Sequence, residues 1–540
     1  MKRYLAFLLA LLFVLTACAP IITTKDSTEP PTPQSSTLPL GTSSTVTDDE
    51  PTDEPADKPT DDPTDKPLEG CHKDTNDDGK CDLCSVTVVV VIDFYAINDI
   101  HGKFKDSDSQ GGVDELTAYL KSRKEADDHT VFLSSGDTWQ GSAESNLTEG
   151  LIFTDWMNTL GFASMTLGNH EFDWGEESIR KNDEAATFPL LAINIFEKGT
   201  NKPVSYASPS VTVECGGVTV GIIGAIGDCY SSISGDKTEE IYFKTGAELT
   251  ALIKEESERL RQAGADLIVY SLHDGYGRSK SGVSDITSGD LSAYYDVSLS
   301  NGYVDLVFEA HSHQNYVLRD AYGIYHLQGG GDNKGISHAE IAVNGANGKK
   351  ELRAAEYMPA SHYASLTGDA LVDELLEKYE SLIAKGDEVV GKNGSYKSSK
   401  VLCQLVADLY YEAGVAKWGS EYDIALAGAF IKARSPYNLS AGDVTYADLQ
   451  MIFPFDNNIV LCAIKGSDLR RVFYDSPNEN YYMKYSLKAS EIVNSATYYV
   501  ITDTYSSTYS YNRMTEVARY DDVTFARDLL AAYIGKGSME

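Results

Sequence analysis

Five short runs in this chain carry side chains that bind metals. They are Asn98-Asp99-Ile100-His101-Gly102, Gly136-Asp137, Gly168-Asn169-His170-Glu171-Phe172-Asp173, His273-Asp274-Gly275 and His311-Ser312-His313. Carboxylate, imidazole and amide donors in this mixture suit Mn²⁺, Zn²⁺, Fe²⁺ or Co²⁺ better than an all-oxygen Ca²⁺ cage. The chain holds 10 histidines. Half of them, His101, His170, His273, His311 and His313, fall in these runs, which random placement would rarely produce. Asp-x-His or Gly-Asp alone arises by chance. The ordered set from Asp99 to His313 is specific.

Each run follows an apolar stretch. Val86–Ile97, Thr130–Leu133, Phe162–Leu167, Leu267–Leu272 and Val304–Glu309 read as buried strands, the first broken only by Asp93. Val211–Glu214 and Val218–Ala225 read as a hairpin turning at Gly216-Gly217. Val113–Ala126 and Leu249–Gln262 read as helices, the second stopped by Gly264. In α/β sheets, sites form beyond the carboxyl ends of strands. Five such ends side by side would place the donors around one crevice.

The ordered set resembles the calcineurin-like metallophosphoesterases. The downstream region narrows the resemblance to the 5′-nucleotidase and UDP-sugar hydrolase branch, over residues 88 to 535 or so. The fold class this implies is α/β: a two-layered β-sandwich flanked by helices (86–360), a linker helix within 361–386, and a smaller α/β 5′-nucleotidase C-terminal domain (387–540). Matched motif by motif, one metal is expected on Asp99, His101, Asp137 and His313. A second is expected on Asp137, Asn169, His273 and His311, with Asp137 bridging. Two dications roughly 4 Å apart activate a water and neutralise charge on a phosphoryl group. The resemblance makes His170 the catalytic partner of the phosphoryl oxygens or leaving group, with Asp173 holding its imidazole. Gln328 to Gly331 resembles the family's Gln-x-Gly turn, with glycines that let backbone approach the site.

In the downstream domain, Asp423 to Arg434 resembles the segment usually written Asn-Gly-Gly-Gly-Ile-Arg, but Ala427 stands for the Asn and Lys432 for the Arg. Arg434 is the substitute cation. Lysine cannot make arginine's bidentate fork. Pro454-Phe455-Asp456-Asn457 matches a family motif whose Phe forms one wall of a base slot, and Tyr505 falls where the opposite aromatic is offered. The usual Gly-Gly-Asp-Gly-Tyr run is replaced by Ser506 to Tyr511. Expected substrate contacts are therefore Lys432, Arg434, Phe455, Asn457 and Tyr505.

The net charge of −36 argues against a nucleic-acid surface, which needs a basic face. It leaves a phosphate-bearing substrate open, because bound metals reverse the local field. Hydrophobic content of 42% allows a large core, and 8 cysteines are too few for a disulfide scaffold of this size. Met1-Lys2-Arg3 and the apolar run Tyr4–Leu15 read as a signal peptide (1–17) ending in Leu15-Thr16-Ala17-Cys18, which resembles a lipobox. The expected location is extracytoplasmic, with a lipid anchor at Cys18 meeting the membrane. Residues 18–69, with the imperfect repeat of 53–60 in 61–68, form a Pro- and Asp-rich spacer. Between 71 and 84, Asp74, Asn76, Asp78, Gly79 and Asp82 have calcium-loop spacing without the closing Glu. Cys71, His72, Cys81 and Cys84 could instead hold zinc, or the segment could be purely structural. Cys215, Cys229, Cys403 and Cys462 read as buried free thiols, and His129, His326, His338 and His362 as structural residues.

The expected function is hydrolysis of nucleoside 5′-monophosphates outside the cytoplasm by a dinuclear phosphomonoesterase. Rivals are cleavage of UDP-sugars, nucleoside di- or triphosphates or 2′,3′-cyclic nucleotides, and a surface-binding protein on an inactivated scaffold.

Overall fold

The computed structural model describes residues 73–82, 87–105, 112–285, 295–429, 438–472, 482–485, 487–509, 513–521, 523–537 and 539. The signal, spacer and repeat, with Cys71, His72, Cys84, Lys432 and Arg434, lie outside the described residues.

Side-chain alternation builds the catalytic half. In the strand Val89–Ile97, Ile92, Phe94 and Ala96 point one way and Tyr95 and Ile97 the other, the period-2 signature of a strand buried on both faces. This strand pairs parallel with Thr130–Ser134 and antiparallel with Gly335–Asn344. Ser164–Thr166 and Leu190–Leu191 extend the sheet on one side, and Lys350–Pro359 closes the other, giving six strands. A second sheet of seven strands has a parallel centre of Val218–Ile226, Leu267–His273, Leu306–Glu309 and Tyr325–Gly329. Ile92, Phe94 and Leu133 of the first sheet meet Val220, Ile222, Val269 and Phe308 of the second in one apolar cluster. The outer face of the first sheet packs Tyr95 and Phe132 with residues of the helices Asp114–Ala126 and Leu151–Leu160. That of the second packs Ile223, Ile268 and Tyr270 with Leu249, Ile253 and Leu260 of the helix Gly246–Gln262. The result is the β-sandwich flanked by helices that the sequence implies.

Asp93, the single charge in the first strand, is buried and lies within ion-pair reach of His338 and of Arg123, the latter at 3.4 Å. The hairpin forms as expected, Ser210–Cys215 with Val218–Ile226 around Gly216-Gly217. Two elements are shorter than expected. The first strand begins at Val89, and Phe162–Leu167 contracts to Ser164–Thr166.

The linker departs from expectation more clearly. The one linker helix expected within 361–386 is replaced by Leu371–Lys378, the short turn Glu380–Ile383 and a 3₁₀ segment, Ala384–Asp387. The break falls at Tyr379, whose hydroxyl donates to Asp155 Oδ2 at 2.6 Å. Leu371, Val372 and Leu375 belong to the catalytic core. Burial of that apolar face and the Tyr379 anchor outweigh helix continuation.

The C-terminal sheet runs Tyr482–Tyr485, Ile424–Ala429, Thr497–Asp503, Ile459–Lys465, Met514–Arg519. The helix Ser399–Trp418 buries Leu402, Val406 and Tyr410, spaced four apart, against Ile424, Leu461 and Ile501. Its start is fixed by the Ser398 side chain, which accepts from the Val401 amide, a cap worth about 1 kcal/mol. Helix Tyr446–Ile452 starts in a capping box of Thr445 and Asp448. It delivers the Phe453 to Asn457 turn to the catalytic half, where Gln450 accepts from Asn146 Nδ2 at 3.2 Å. Among the described residues no helix is long and apolar enough to cross a membrane.

Candidate metal centre and substrate cleft

The strand ends converge as the spacing predicts. Asp99, His101, Asp137, Asn169, His311 and His313 follow the carboxyl ends of parallel strands in the two sheets, and His273 is the last residue of its strand. His273 Nε2 stands 3.2 Å from Asp137 Oδ2 and 3.3 Å from Asn169 Oδ1. His101 Nε2 is 3.9 Å from Asp137 Oδ2 and 4.0 Å from Asp99 Oδ1. His313 Nε2 is 3.6 Å from Asp99 Oδ1 and 2.8 Å from His101 Nε2. Asp137 and Asp99 are fully buried.

The backbone at these turns is unusual. Asp99, His101, Asp137, His311 and His313 have φ between 49° and 63°. Left-handed conformation at a residue with a side chain is uncommon, though less so for Asp and His, and costs on the order of 1–3 kcal/mol each. Such turns aim side chains back over the strand ends. The nearby glycines leave them room. A Cβ on Gly331 would lie 2.6 Å from the His313 ring, and one on Gly168 2.6 Å from His273 Cε1. Gly331 belongs to the Gln-x-Gly-like turn, which therefore makes the close approach expected of it.

The donor chemistry fits a cation. His101 Nδ1 faces the Gln140 carbonyl at 3.1 Å, and His273 Nδ1 faces that of Ser135 at 2.7 Å. A carbonyl only accepts, so Nδ1 carries the proton and Nε2 presents a lone pair. Both lone pairs face carboxylates. That arrangement is repulsive unless a cation or an added proton lies between. Burial opposes charge on His273, yet Asp137 beside it raises the imidazole to about 10. Burial likewise opposes the charge of Asp137, but His273 and His170 hold its carboxyl well below the ordinary range. His311 goes the other way, lowered to about 4 by burial and by neighbouring His273.

His170 and Asp173 form a dyad, Nδ1 to Oδ2 at 2.8 Å. The His170 amide donates to Asp137 Oδ1 at 2.8 Å, and its ring stacks on Phe455 of the C-terminal domain with centroids 5.6 Å apart. A cavity of about 370 Å³ opens there. Asn169, His170, Asp173 and His311 line one part, and Phe455, Asn457 and Tyr505 another. Lys237, with Ser232 and Ser234, adds the one Lys or Arg among the described lining residues. Of the expected substrate contacts, Phe455, Asn457 and Tyr505 are thus at the cleft. Ala427 is buried in its strand.

Residues 92–315 match the calcineurin-like phosphoesterase family, and residues 383–512 match the 5′-nucleotidase C-terminal domain. The chain belongs to the calcineurin-like metallophosphoesterases with a 5′-nucleotidase C-terminal domain. It is a metal-dependent phosphoric ester hydrolase by family. Endonuclease YhcR of Bacillus subtilis is 26% identical over 412 residues, which cover 70% of this chain but only 32% of that protein. Protein UshA of Yersinia enterocolitica is 25% identical over 421 residues, covering 69% and 74% of the two chains. The crystal structure of a 5′-nucleotidase precursor from Thermus thermophilus superposes with TM-score 0.60 at 19% identity, covering 83% of this chain and 96% of that one. That of 5′-nucleotidase from Candida albicans gives 0.55 at 13%, covering 82% and 98%. At such identities the solved structures speak to the fold.

Two residues of this metallophosphoesterase that the sequence left without a role hold the loops that carry the candidate donors. Glu171 is fully buried and accepts from the amides of Gly168, Asp137, Thr138 and Trp139 at 2.7 to 3.3 Å. It thereby ties the Asp137 turn to the Asn169 turn, and burial with Asp137 nearby raises its carboxyl to about 7. Asn98 donates to Asp99 Oδ2 at 2.7 Å and accepts from the Gly329 amide at 2.9 Å. Each sat inside a quoted run, but no spacing rule marks a residue that serves backbone amides.

Two histidines outside the cluster, His326 and His338, pair with carboxylates within the fold. His326 is buried with Nδ1 2.9 Å from Glu309 Oε1 and Nε2 3.5 Å from Asp320 Oδ2. Tyr316 donates to the other Glu309 oxygen at 2.5 Å, and Gln328 joins Tyr316 to the Ser312 hydroxyl between His311 and His313. Burial alone would lower His326, but Asp320 and Glu309 outweigh it and raise the imidazole to about 9. A raised folded value means stability that is complete below the unfolded value near 6.5 and lost as pH climbs through about 9. We expect the urea midpoint to fall across that window, and to fall less in His326→Gln. Equal slopes in both proteins would remove His326 as the cause.

In the loop at 74–82, Asp74 accepts from the amides of Asp78 and Gly79 at 3.1 and 2.9 Å and from Asn344 Nδ2 at 2.8 Å. Cys81 is buried.

Proposed function

We propose that this chain hydrolyses nucleoside 5′-monophosphates outside the cytoplasm, using two divalent ions. Asp99, His101, Asp137 and His313 would hold one ion, and Asp137, Asn169, His273 and His311 the other. The observation carrying this reading is the clustering of those seven donors beside a cleft that Asn169 and His311 line together with Phe455 and Tyr505. When bound, the ions supply an activated water and neutralise phosphoryl charge. His170 faces the same cleft, and Asp173 holds Nδ1 of its ring, which leaves Nε2 as the atom to meet a phosphoryl oxygen or the departing hydroxyl. Phe455 and Tyr505 would receive the base, and Asn457 would hydrogen-bond it. The N-terminal 17 residues and Cys18 would deliver the chain to the outer face of a membrane.

Metal-supplemented protein should release phosphate fastest from 5′-monophosphates in a panel that includes UDP-glucose, ATP, ADP, 2′,3′-cyclic AMP and single-stranded DNA. A higher kcat/KM on any other member would replace this reading with that substrate class. No turnover on any would leave the scaffold as a binding protein.

The aromatic wall has its own test. A stacked base is worth about 1–3 kcal/mol, so Phe455→Ala should raise KM for AMP by roughly 5- to 100-fold. Base-free ribose 5-phosphate should be affected little. An equal loss on both would mean that Phe455 acts through His170, on which it stacks.

A further inference from the structure

A sixth strand end reaches the crevice. Val218–Ile226 runs into Gly227 and the short helix Asp228–Ser232, which carries Cys229. The Gly227 amide donates to the His273 carbonyl at 3.0 Å, and the Cys229 amide donates to Asp274 Oδ2 at 3.3 Å. The thiol is buried and donates to the His273 carbonyl oxygen at 2.9 Å, a hydrogen bond that coordination would give up. Its sulfur and one ring nitrogen each of His273 and His311 fall within 4.8 Å of one another. The His311 ring has no hydrogen-bond partner among the described residues, so an open donor sits beside the sulfur.

We propose that Cys229 is a ligand of the ion held by His273 and His311, making that position a mixed imidazole–thiolate site. The inference rests on the two-ion reading above. With Asp137 and Asn169 that ion would have five protein donors; Zn–S bonds near 2.3 Å and Zn–N bonds near 2.0 Å place neighbouring donors about 3–3.5 Å apart, so the triangle, within 4.8 Å as it stands, contracts on loading. On coordination the sulfur–hydrogen bond breaks, the proton leaves to solvent and the sulfur–metal bond forms. Without a cation, burial together with Asp274, Asp137 and Asp99 keeps the thiol protonated. A dication reverses that field. Sulfur at one position and not the other would make the two sites unequal, the second favouring Zn²⁺ or Co²⁺ over Mn²⁺.

The test loads the full metal-free chain with Co²⁺ and reads bound cobalt by elemental analysis beside the near-ultraviolet spectrum. We expect two ions per chain and a thiolate-to-cobalt charge-transfer band. The band should vanish in Cys229→Ser and Cys229→Ala and persist in Cys81→Ser, which removes the one cysteine of the 71–84 motif among the described residues. The preference for Zn²⁺ over Mn²⁺ should drop in the Cys229 variants by at least about tenfold, the floor set by loss of mere outer-shell partners. Wild-type protein with two cobalt ions and no band overturns the proposal whatever the variants do, as does a band that survives in both Cys229 variants. Protein that takes up no cobalt at all overturns the two-ion reading itself, and this inference with it.

Discussion

Asp137→Ala should lose at least about 10²–10³-fold in phosphate release, the scale at which removal of preorganised electrostatic stabilisation registers, and should bind fewer than two ions per chain. The reason is position. One carboxylate oxygen of Asp137 lies between His273 and His101, and the other takes the His170 amide. Removing it strips charge from both proposed ion positions and frees the turn that carries the dyad. Asp137→Asn keeps the shape but halves the anionic charge of the Asp99–Asp137 pair, so partial metal retention with little turnover is expected. Elemental analysis alongside a phosphate-release assay checks both. Wild-type metal content and turnover in Asp137→Ala would end the proposed site.

His170→Ala should separate chemistry from metal binding. Loss of a positioned acid–base group costs about 10²–10⁴-fold. Here it should come with both ions retained, because His170 is placed in neither proposed ion set. Asp173→Asn keeps a partner on Nδ1 but removes the charge, so a smaller loss with a displaced pH profile is expected. A His170→Ala protein that lost its ions would move His170 into the coordination sphere, an option its grouping with His101 and Asp137 leaves physically open.

Much of this was readable in the chain because two periodicities coincide. Apolar runs marked the buried strands, the resemblance supplied the two-layered sandwich, and each buried strand finished in a polar run with no role in the core. Asp99, His101, Asp137, Asn169, His273, His311 and His313 were readable for that reason. Three features were not. Cys229 follows an apolar strand and reads as a packing thiol, because its proximity to His311 depends on how Gly227 seats against Asp274. Glu171 works by accepting backbone amides, which leaves no trace in residue type. The linker helix has good periodicity on both sides of Tyr379, and tertiary burial of its apolar face with the Tyr379–Asp155 contact interrupts it. Lys432 and Arg434 stay as expectations drawn from a departure within a motif.

The left-handed turns bear on how this site could be re-engineered. Where a donor sits at positive φ, a replacement must satisfy the main chain before it can satisfy a metal. Asn is the tolerated exchange at Asp99, His101, Asp137, His311 and His313, whereas valine, isoleucine or threonine would meet a steric penalty unrelated to coordination. Combinatorial libraries at these five codons would then be filtered by geometry first, and a narrow repertoire of survivors would say less about the ion than about the path of the chain.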